Sequence, residues 1–80
     1  MSARSARAVV RNPILGLPSW SMLADLPPDS RRALRAVLAA ISTDANDRAQ
    51  KCWKQSKAPM AAYWKATSVY AKHIRRAVPS

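Results

Sequence analysis

The residues best suited to chemistry lie between positions 51 and 65, which read KCWKQSKAPMAAYWK. This stretch places two tryptophans and a tyrosine among four lysines and contains no acid. Aromatic rings stack on bases and ammonium groups neutralise phosphates, so the mixture is typical of surfaces that bind nucleic acid. The same mixture is expected of a helix whose aromatic side chains fill a core and whose lysines form its solvated edge.

Positive charge is concentrated in the C-terminal part of the chain. The sequence has 14 Lys and Arg against four acids, all Asp, which gives a formal net charge of +10. Residues 48–80 contain eight of the cations and no acid. A field of one sign attracts polyanions, and phosphate backbones are the commonest of these. The predicted nucleic-acid-binding residues are Lys51, Lys54, Lys57, Lys65, Lys72, Arg75 and Arg76, with Arg4, Arg7 and Arg11 on an N-terminal arm.

Phosphate contacts position a protein on nucleic acid without reading its sequence. We therefore expect binding with little sequence specificity, and the choice between DNA and RNA stays open. A helix-turn-helix would require the long central helix to break near Ser42. Asp44 and Asp47 would then lie at the end of the second segment that normally enters the groove, where they would oppose phosphate.

The alternative function is that of a protein-binding module or inhibitor, of the kind that mobile elements encode. Such a protein would cap an acidic or nucleic-acid-binding surface of a larger complex. Trp20, Trp53 and Tyr63 would be its anchors, because large aromatic side chains dominate protein interfaces. This alternative predicts a weaker dependence of affinity on salt than phosphate binding does.

Nothing in the sequence predicts an enzyme, a cofactor or a metal site. His73 and Cys52 are each the single residue of their type, so neither a zinc-ligand set nor an internal disulfide is expected. A lone cysteine fits a reducing compartment, and we expect a cytoplasmic protein. No apolar run approaches the roughly 20 residues of a membrane-spanning helix, so no membrane span is expected.

The composition predicts an all-α fold. Gly16 is the single glycine of the 80 residues, so the tight turns of β-hairpins have no suitable residues, whereas alanine is abundant. We expect residues 1–18 to form a basic arm and an extended segment, and residues 19–80 to form a helical domain. In the extended segment, Ile14, Leu15 and Leu17 are predicted to lie on the helices.

The helical domain is predicted to be a small hairpin preceded by a short helix. Ser19 is a candidate N-cap for that short helix, which Pro27 and Pro28 end. One long helix follows over residues 28–56, and Pro59 starts an antiparallel final helix after a short connection. A homodimer would add to the small core that such a hairpin encloses.

Apolar residues at three- and four-residue steps predict which side of each helix faces inward. On the long helix this stripe consists of Leu34, Leu38, Ile41, Ala45, Ala49 and Cys52. On the final helix it consists of Met60, Tyr63, Trp64, Thr67, Tyr70, Ala71, Ile74 and Val78. Tyr63 and Trp64 are thus expected in the core, with Lys65, Lys72 and Arg76 opposite. Trp53 lies at the edge of its stripe, and the pattern leaves open whether it is buried.

Overall fold

The computed structural model describes residues 12–79, so Arg4, Arg7 and Arg11 lie outside it. In this part of the chain a 3-10 turn, Pro13–Gly16, lies where an extended segment was predicted, and three helices follow it. We call them α1 (Trp20–Ala24), α2 (Pro28–Lys54) and α3 (Ala58–Ala77). Helices α2 and α3 pack against each other along their lengths, and the described residues contain no strand. The prediction of an all-α hairpin with a short N-terminal helix is confirmed.

Helix α2 is continuous and is about 40 Å long at 1.5 Å per residue. Pro28 occupies its first turn, where a missing N–H costs nothing, and Asp29 follows where the helix dipole favours an anion. No glycine or proline interrupts the helix after that turn. It passes through Ser42 without a break, so the helix-turn-helix arrangement is wrong.

The connection between α2 and α3 is three residues long and begins as a Schellman cap. The Lys57 N–H donates to the Cys52 carbonyl at 2.8 Å, and the Ser56 N–H donates to the Trp53 carbonyl at 3.0 Å. These two bonds satisfy carbonyls at the end of α2, and Ser56 takes the left-handed conformation that the motif requires, with φ of 59°. The chain therefore reverses at once, and α3 runs antiparallel to α2.

Small residues form the seam between α2 and α3. The buried residues of these helices are Leu38, Ser42, Ala45 and Ala49 on α2 and Ala61, Ser68, Ala71 and Ala77 on α3. The Ser68 hydroxyl donates to the Ser42 carbonyl at 2.9 Å, and the Ser42 hydroxyl donates to the Ser68 carbonyl at 3.1 Å. The serine side chain is short, so its hydroxyl reaches the backbone of the other helix only when the two backbones lie close together.

The predicted inward face was wrong at four of its bulky positions. Ile41 is 42% exposed and Tyr63 is 60% exposed, and Met60 and Tyr70 are also exposed. In four pairs of consecutive residues the smaller residue is buried and the bulkier one is not, the pairs being Ile41 and Ser42, Met60 and Ala61, Thr67 and Ser68, Tyr70 and Ala71. Of these four buried residues, only Ala71 was predicted to face inward. The bulkier and the smaller residues form two adjacent stripes on each helix, and only one stripe can face the other helix. The smaller side chains do so because they allow the two backbones to approach closely.

The N-terminal elements are attached to the C-terminal half of α3. The Asn12 amide donates to the His73 carbonyl at 2.9 Å, and the Trp20 indole N–H donates to the Ala77 carbonyl at 2.7 Å. Ile14 is half-buried, whereas Leu15 and Leu17 are exposed, so only one of these three aliphatic residues packs as predicted.

Helix α1 is shorter than predicted and ends at Ala24. Ser19 occupies the predicted N-cap position, but its side chain makes no capping hydrogen bond. The Arg31 guanidinium, at the start of α2, donates to the Leu26 carbonyl at 2.8 Å and to the Ala24 carbonyl at 3.3 Å. These bonds link the end of α1 and the segment after it to α2.

Candidate nucleic-acid interface

Three cations form a row along α3. Lys65, Lys72 and Arg76 are spaced by seven and four residues, which places them on one side of the helix. All three are exposed, and within residues 12–79 none forms an ion pair. We call these three residues the basic row. It presents three positive charges with no carboxylate bound to them.

An open groove lies beside the basic row, between α2 and α3 at the end where they connect. Its volume is about 510 Å³. The lining residues are Asn46, Ala49, Gln50, Trp53 and Lys54 from α2 and Ala58, Ala61, Ala62 and Lys65 from α3. The groove exists because four of these residues are alanines, whose methyl groups leave the space between the helices unfilled. We call it the Trp53 groove.

Trp53 forms one wall of the groove and is 70% exposed, which answers the question that the sequence left open. It lies seven residues after Asn46, so both side chains project from the same side of α2. The Lys65 ammonium on α3 donates to the Asn46 side-chain oxygen on α2 at 3.2 Å. The basic row and the groove therefore share Lys65 and form one continuous surface.

The other side of the hairpin carries a different aromatic cluster. The Arg48 guanidinium lies 5.2 Å from the centre of the Trp64 ring, and Tyr63 contacts Trp64 edge-on with ring centres 5.2 Å apart. Trp64, which was predicted to lie in the core, is half-buried. Tyr63 precedes Lys65 by two residues, or about 200° around α3, so it does not share a side with the basic row.

The predicted cations do not all converge. Lys54 and Lys65 line the groove, and Lys72 and Arg76 continue the row. Arg75 is half-buried at the edge of the seam, and Lys57 lies in the connection between the helices.

Lys51 belongs to a third surface. With Arg48 it borders a shallow depression that Asp44 and Asp47 also line. Two acids there offset two cations, so Lys51 does not belong to an unopposed positive field. Sequence reasoning placed it in that field because residues 48–80 lack acids, whereas the acids beside it come from one turn earlier on α2.

The predicted protein anchors are also separated. Trp20 is half-buried, and its indole N–H is bonded to the Ala77 carbonyl, so it serves the fold. Trp53 and Tyr63 are exposed on different sides of the hairpin. The structure therefore does not bring Trp20, Trp53 and Tyr63 into one patch.

Sequence reasoning missed two groove residues, Asn46 and Gln50. Both precede Trp53 on α2, by seven and three residues, and both line the groove beside it. The signal was present in this spacing, because polar amides next to an aromatic residue on one helical side form a mixed surface.

No family model, curated protein or solved structure matches this chain. In the described part of the chain, no group of three or more His, Cys, Asp or Glu side chains is placed to hold a metal ion. None of the helices formed by residues 12–79 has the length and apolar character needed to cross a membrane.

Proposed function

We propose that this protein binds nucleic acid, mainly through phosphate-backbone contacts and with little sequence specificity. The observation that carries the proposal is the basic row, in which Lys65, Lys72 and Arg76 are exposed on one side of α3 without ion pairs among the described residues. The row extends about 16 Å at 1.5 Å per residue. That length matches several nucleotides of one strand, which rises 3.4 Å per nucleotide in DNA.

The cost of leaving these charges unopposed supports a binding role. Surface helices usually interleave signs, since pairs four residues apart stabilise a helix by a few tenths of a kcal/mol. Residues 48–80 contain no acid and therefore lack such pairs among themselves, and like charges destabilise the compact state. Phosphates that approach the row would relieve the repulsion and release counterions from the nucleic acid.

In this proposal the protein is a binding protein of the cytoplasm and not an enzyme. A free Cys52 fits a reducing compartment. Arg4, Arg7 and Arg11 would add phosphate contacts from the N-terminal arm. DNA and RNA both present the phosphate backbone that the row requires, so both are candidate ligands.

The proposal predicts that removing charge from the row weakens binding to every nucleic acid. We expect Lys72→Gln with Arg76→Gln to lower affinity at least tenfold at low salt and to reduce the slope of log affinity against log salt by about 2. Fluorescence anisotropy with labelled duplex DNA, single-stranded DNA and RNA, at two or more salt concentrations, measures both quantities.

The matched control is Arg48→Gln with Lys51→Gln, which removes the same charge from the surface that Asp44 and Asp47 already offset. We expect this control to change affinity about twofold or less. Equal losses in the two double variants would show that net charge alone attracts the ligand and that the row is no interface. Absence of binding to all three ligands by the unsubstituted protein at low salt would refute the function itself.

A protein partner is the second candidate, and one observation favours it. Val37, Ile41, Tyr63 and Tyr70 are large apolar or aromatic residues that remain exposed. Exposed residues of this kind commonly serve association, either with a larger complex or with a second copy of the chain. Alanine at Ile41 and Tyr70 would weaken such association and would leave phosphate binding intact, which separates the two candidates.

A further inference from the structure

We infer that the Trp53 groove accepts an unpaired nucleobase, which stacks on the Trp53 ring while the phosphates on either side of that base contact Lys54 and Lys65. This inference rests on the proposed function and makes it more specific. It predicts that the protein prefers single-stranded nucleic acid, or duplex with an unpaired base, over fully paired duplex.

The Trp53 ring supplies the stacking surface. It is 70% exposed, although tryptophan normally contributes more by burial than any other side chain. Base stacking on such a ring tolerates every sequence, because every base has an aromatic face. A groove of about 510 Å³ falls within the range of pockets that hold small organic molecules.

The alanines make the groove suitable for a flat ligand. Ala58, Ala61 and Ala62 come from α3 and Ala49 from α2, and none of them extends into the groove beyond a methyl group. A planar ring can therefore lie against the helix surfaces and Trp53 together.

Two amides are positioned to bond the edge of the base. Asn46 and Gln50 line the groove, and each amide offers both donors and an acceptor, the combination that base edges complement. The Asn46 oxygen already accepts from the Lys65 ammonium at 3.2 Å, which leaves its N–H groups to donate.

Charge complementarity fixes the class of ligand. Lys54 and Lys65 line the groove from opposite helices, and no acid is among the lining residues. A nucleotide segment carries a phosphate on each side of its base and so matches this arrangement. In a paired duplex the bases face each other inside the helix, and entry of one into the groove would first require its unstacking and unpairing.

Anisotropy titrations of the full chain against three labelled oligonucleotides of about 12 nucleotides test the inference. The probes are a single strand, a duplex of the same sequence, and a single strand whose backbone lacks bases at its central positions. We expect the protein to bind the intact single strand about tenfold more tightly than the abasic strand, in line with the measured range for stacking one base.

Substitutions at Trp53 test whether the preference for an intact single strand arises in the Trp53 groove. Trp53→Ala is expected to lower single-strand affinity about tenfold and to change duplex affinity less than twofold, whereas Trp53→Phe should retain most of the preference. Tyr63→Ala is the matched control, because it removes an exposed aromatic ring from the other side of the hairpin and should leave all three affinities unchanged. Quenching of tryptophan fluorescence by the single strand should decrease in the Trp53→Phe variant.

The outcomes separate this inference from the function on which it rests. If all three probes bind equally and the basic-row variant loses affinity for each, the base site is wrong and phosphate binding stands. If Trp53→Ala lowers duplex and single-strand affinity alike, the base site is again wrong. If no probe binds at low salt, both ideas fail. Comparison of intact and abasic strands needs no substitution, so it decides the question even where a Trp53 variant does not fold.

Discussion

The hydroxyl groups of Ser42 and Ser68 join α2 and α3 at the middle of their seam. Each donates to the carbonyl of the other serine, and Ser68 is fully buried, with 0% of its surface exposed. The two bonds satisfy polar atoms that would otherwise be expensive to bury. They also set the spacing between the helices, because a larger side chain at either position would push the backbones apart.

A valine at position 68 tests this close approach. We expect Ser68→Ala to lower the free energy of unfolding by about 1 kcal/mol through the lost hydrogen bond. Ser68→Val should lower it by about 2 to 4 kcal/mol, because overpacking adds to that loss. Urea denaturation followed by circular dichroism measures both. Thr43→Val places the same side chain at an exposed position of α2 and should change stability by no more than about 0.5 kcal/mol.

Residue by residue, the sequence predicted the seam only in part. Leu38, Ala45 and Ala49 follow the apolar stripe and are buried as expected. Ser42 and Ser68 were not predicted, because a hydrophobicity pattern counts serine as polar and cannot anticipate a bond to the backbone of another helix. A pattern also scores Ile41 and Tyr70 as core residues, whereas a hairpin of two helices has only one seam and leaves the flanking stripe exposed.

The elements themselves were largely predictable, because proline marks their beginnings. Pro28 and Pro59 lie in the first turns of α2 and α3, and a proline there stabilises the start of a helix. The end of α2 was less predictable. A Schellman cap normally has glycine in the left-handed position, and this chain places Ser56 there.

Glycine in place of Ser56 should therefore stabilise the hairpin. A non-glycine residue in the left-handed region costs about 1 kcal/mol or more, so Ser56→Gly should raise the free energy of unfolding by about 0.5 to 1 kcal/mol. Glycine within a helix has the opposite effect, and Thr43→Gly should lower the free energy of unfolding by a few tenths of a kcal/mol. A decrease in the thermal midpoint of Ser56→Gly would mean that the connection adopts a different backbone.

At the scale of the whole molecule, the sequence predicted the sign of the surface charge but not how that charge is distributed. The absence of acids after position 47 is visible in the sequence. The positively charged residues are divided among the basic row, the groove and a surface shared with Asp44 and Asp47. This division depends on how the two helices are rotated about their axes. That rotation follows from the small-residue seam, so the error about the seam carried over into the predicted site.

The net charge of +10 on 80 residues makes the fold itself sensitive to salt. Like charges repel in the compact state more than in the expanded chain, and ions screen that repulsion over a Debye length of about 10 Å at 0.1 M. We expect the thermal midpoint to rise by roughly 5 °C between about 20 and 300 mM NaCl, which corresponds to about 1 kcal/mol for a domain of this size. Differential scanning calorimetry without nucleic acid measures the midpoint.

Variants of the basic row distinguish repulsion from other effects of salt. Lys65→Gln with Lys72→Gln should raise the midpoint at low salt and flatten its rise with salt, because two mutually repelling charges on α3 are gone. Lys65→Arg with Lys72→Arg keeps the charge and should follow the unsubstituted protein. A midpoint that stays constant or falls with salt would mean that local attractions already offset these charges. The basic row would then lack the unopposed field from which its affinity for phosphate is inferred.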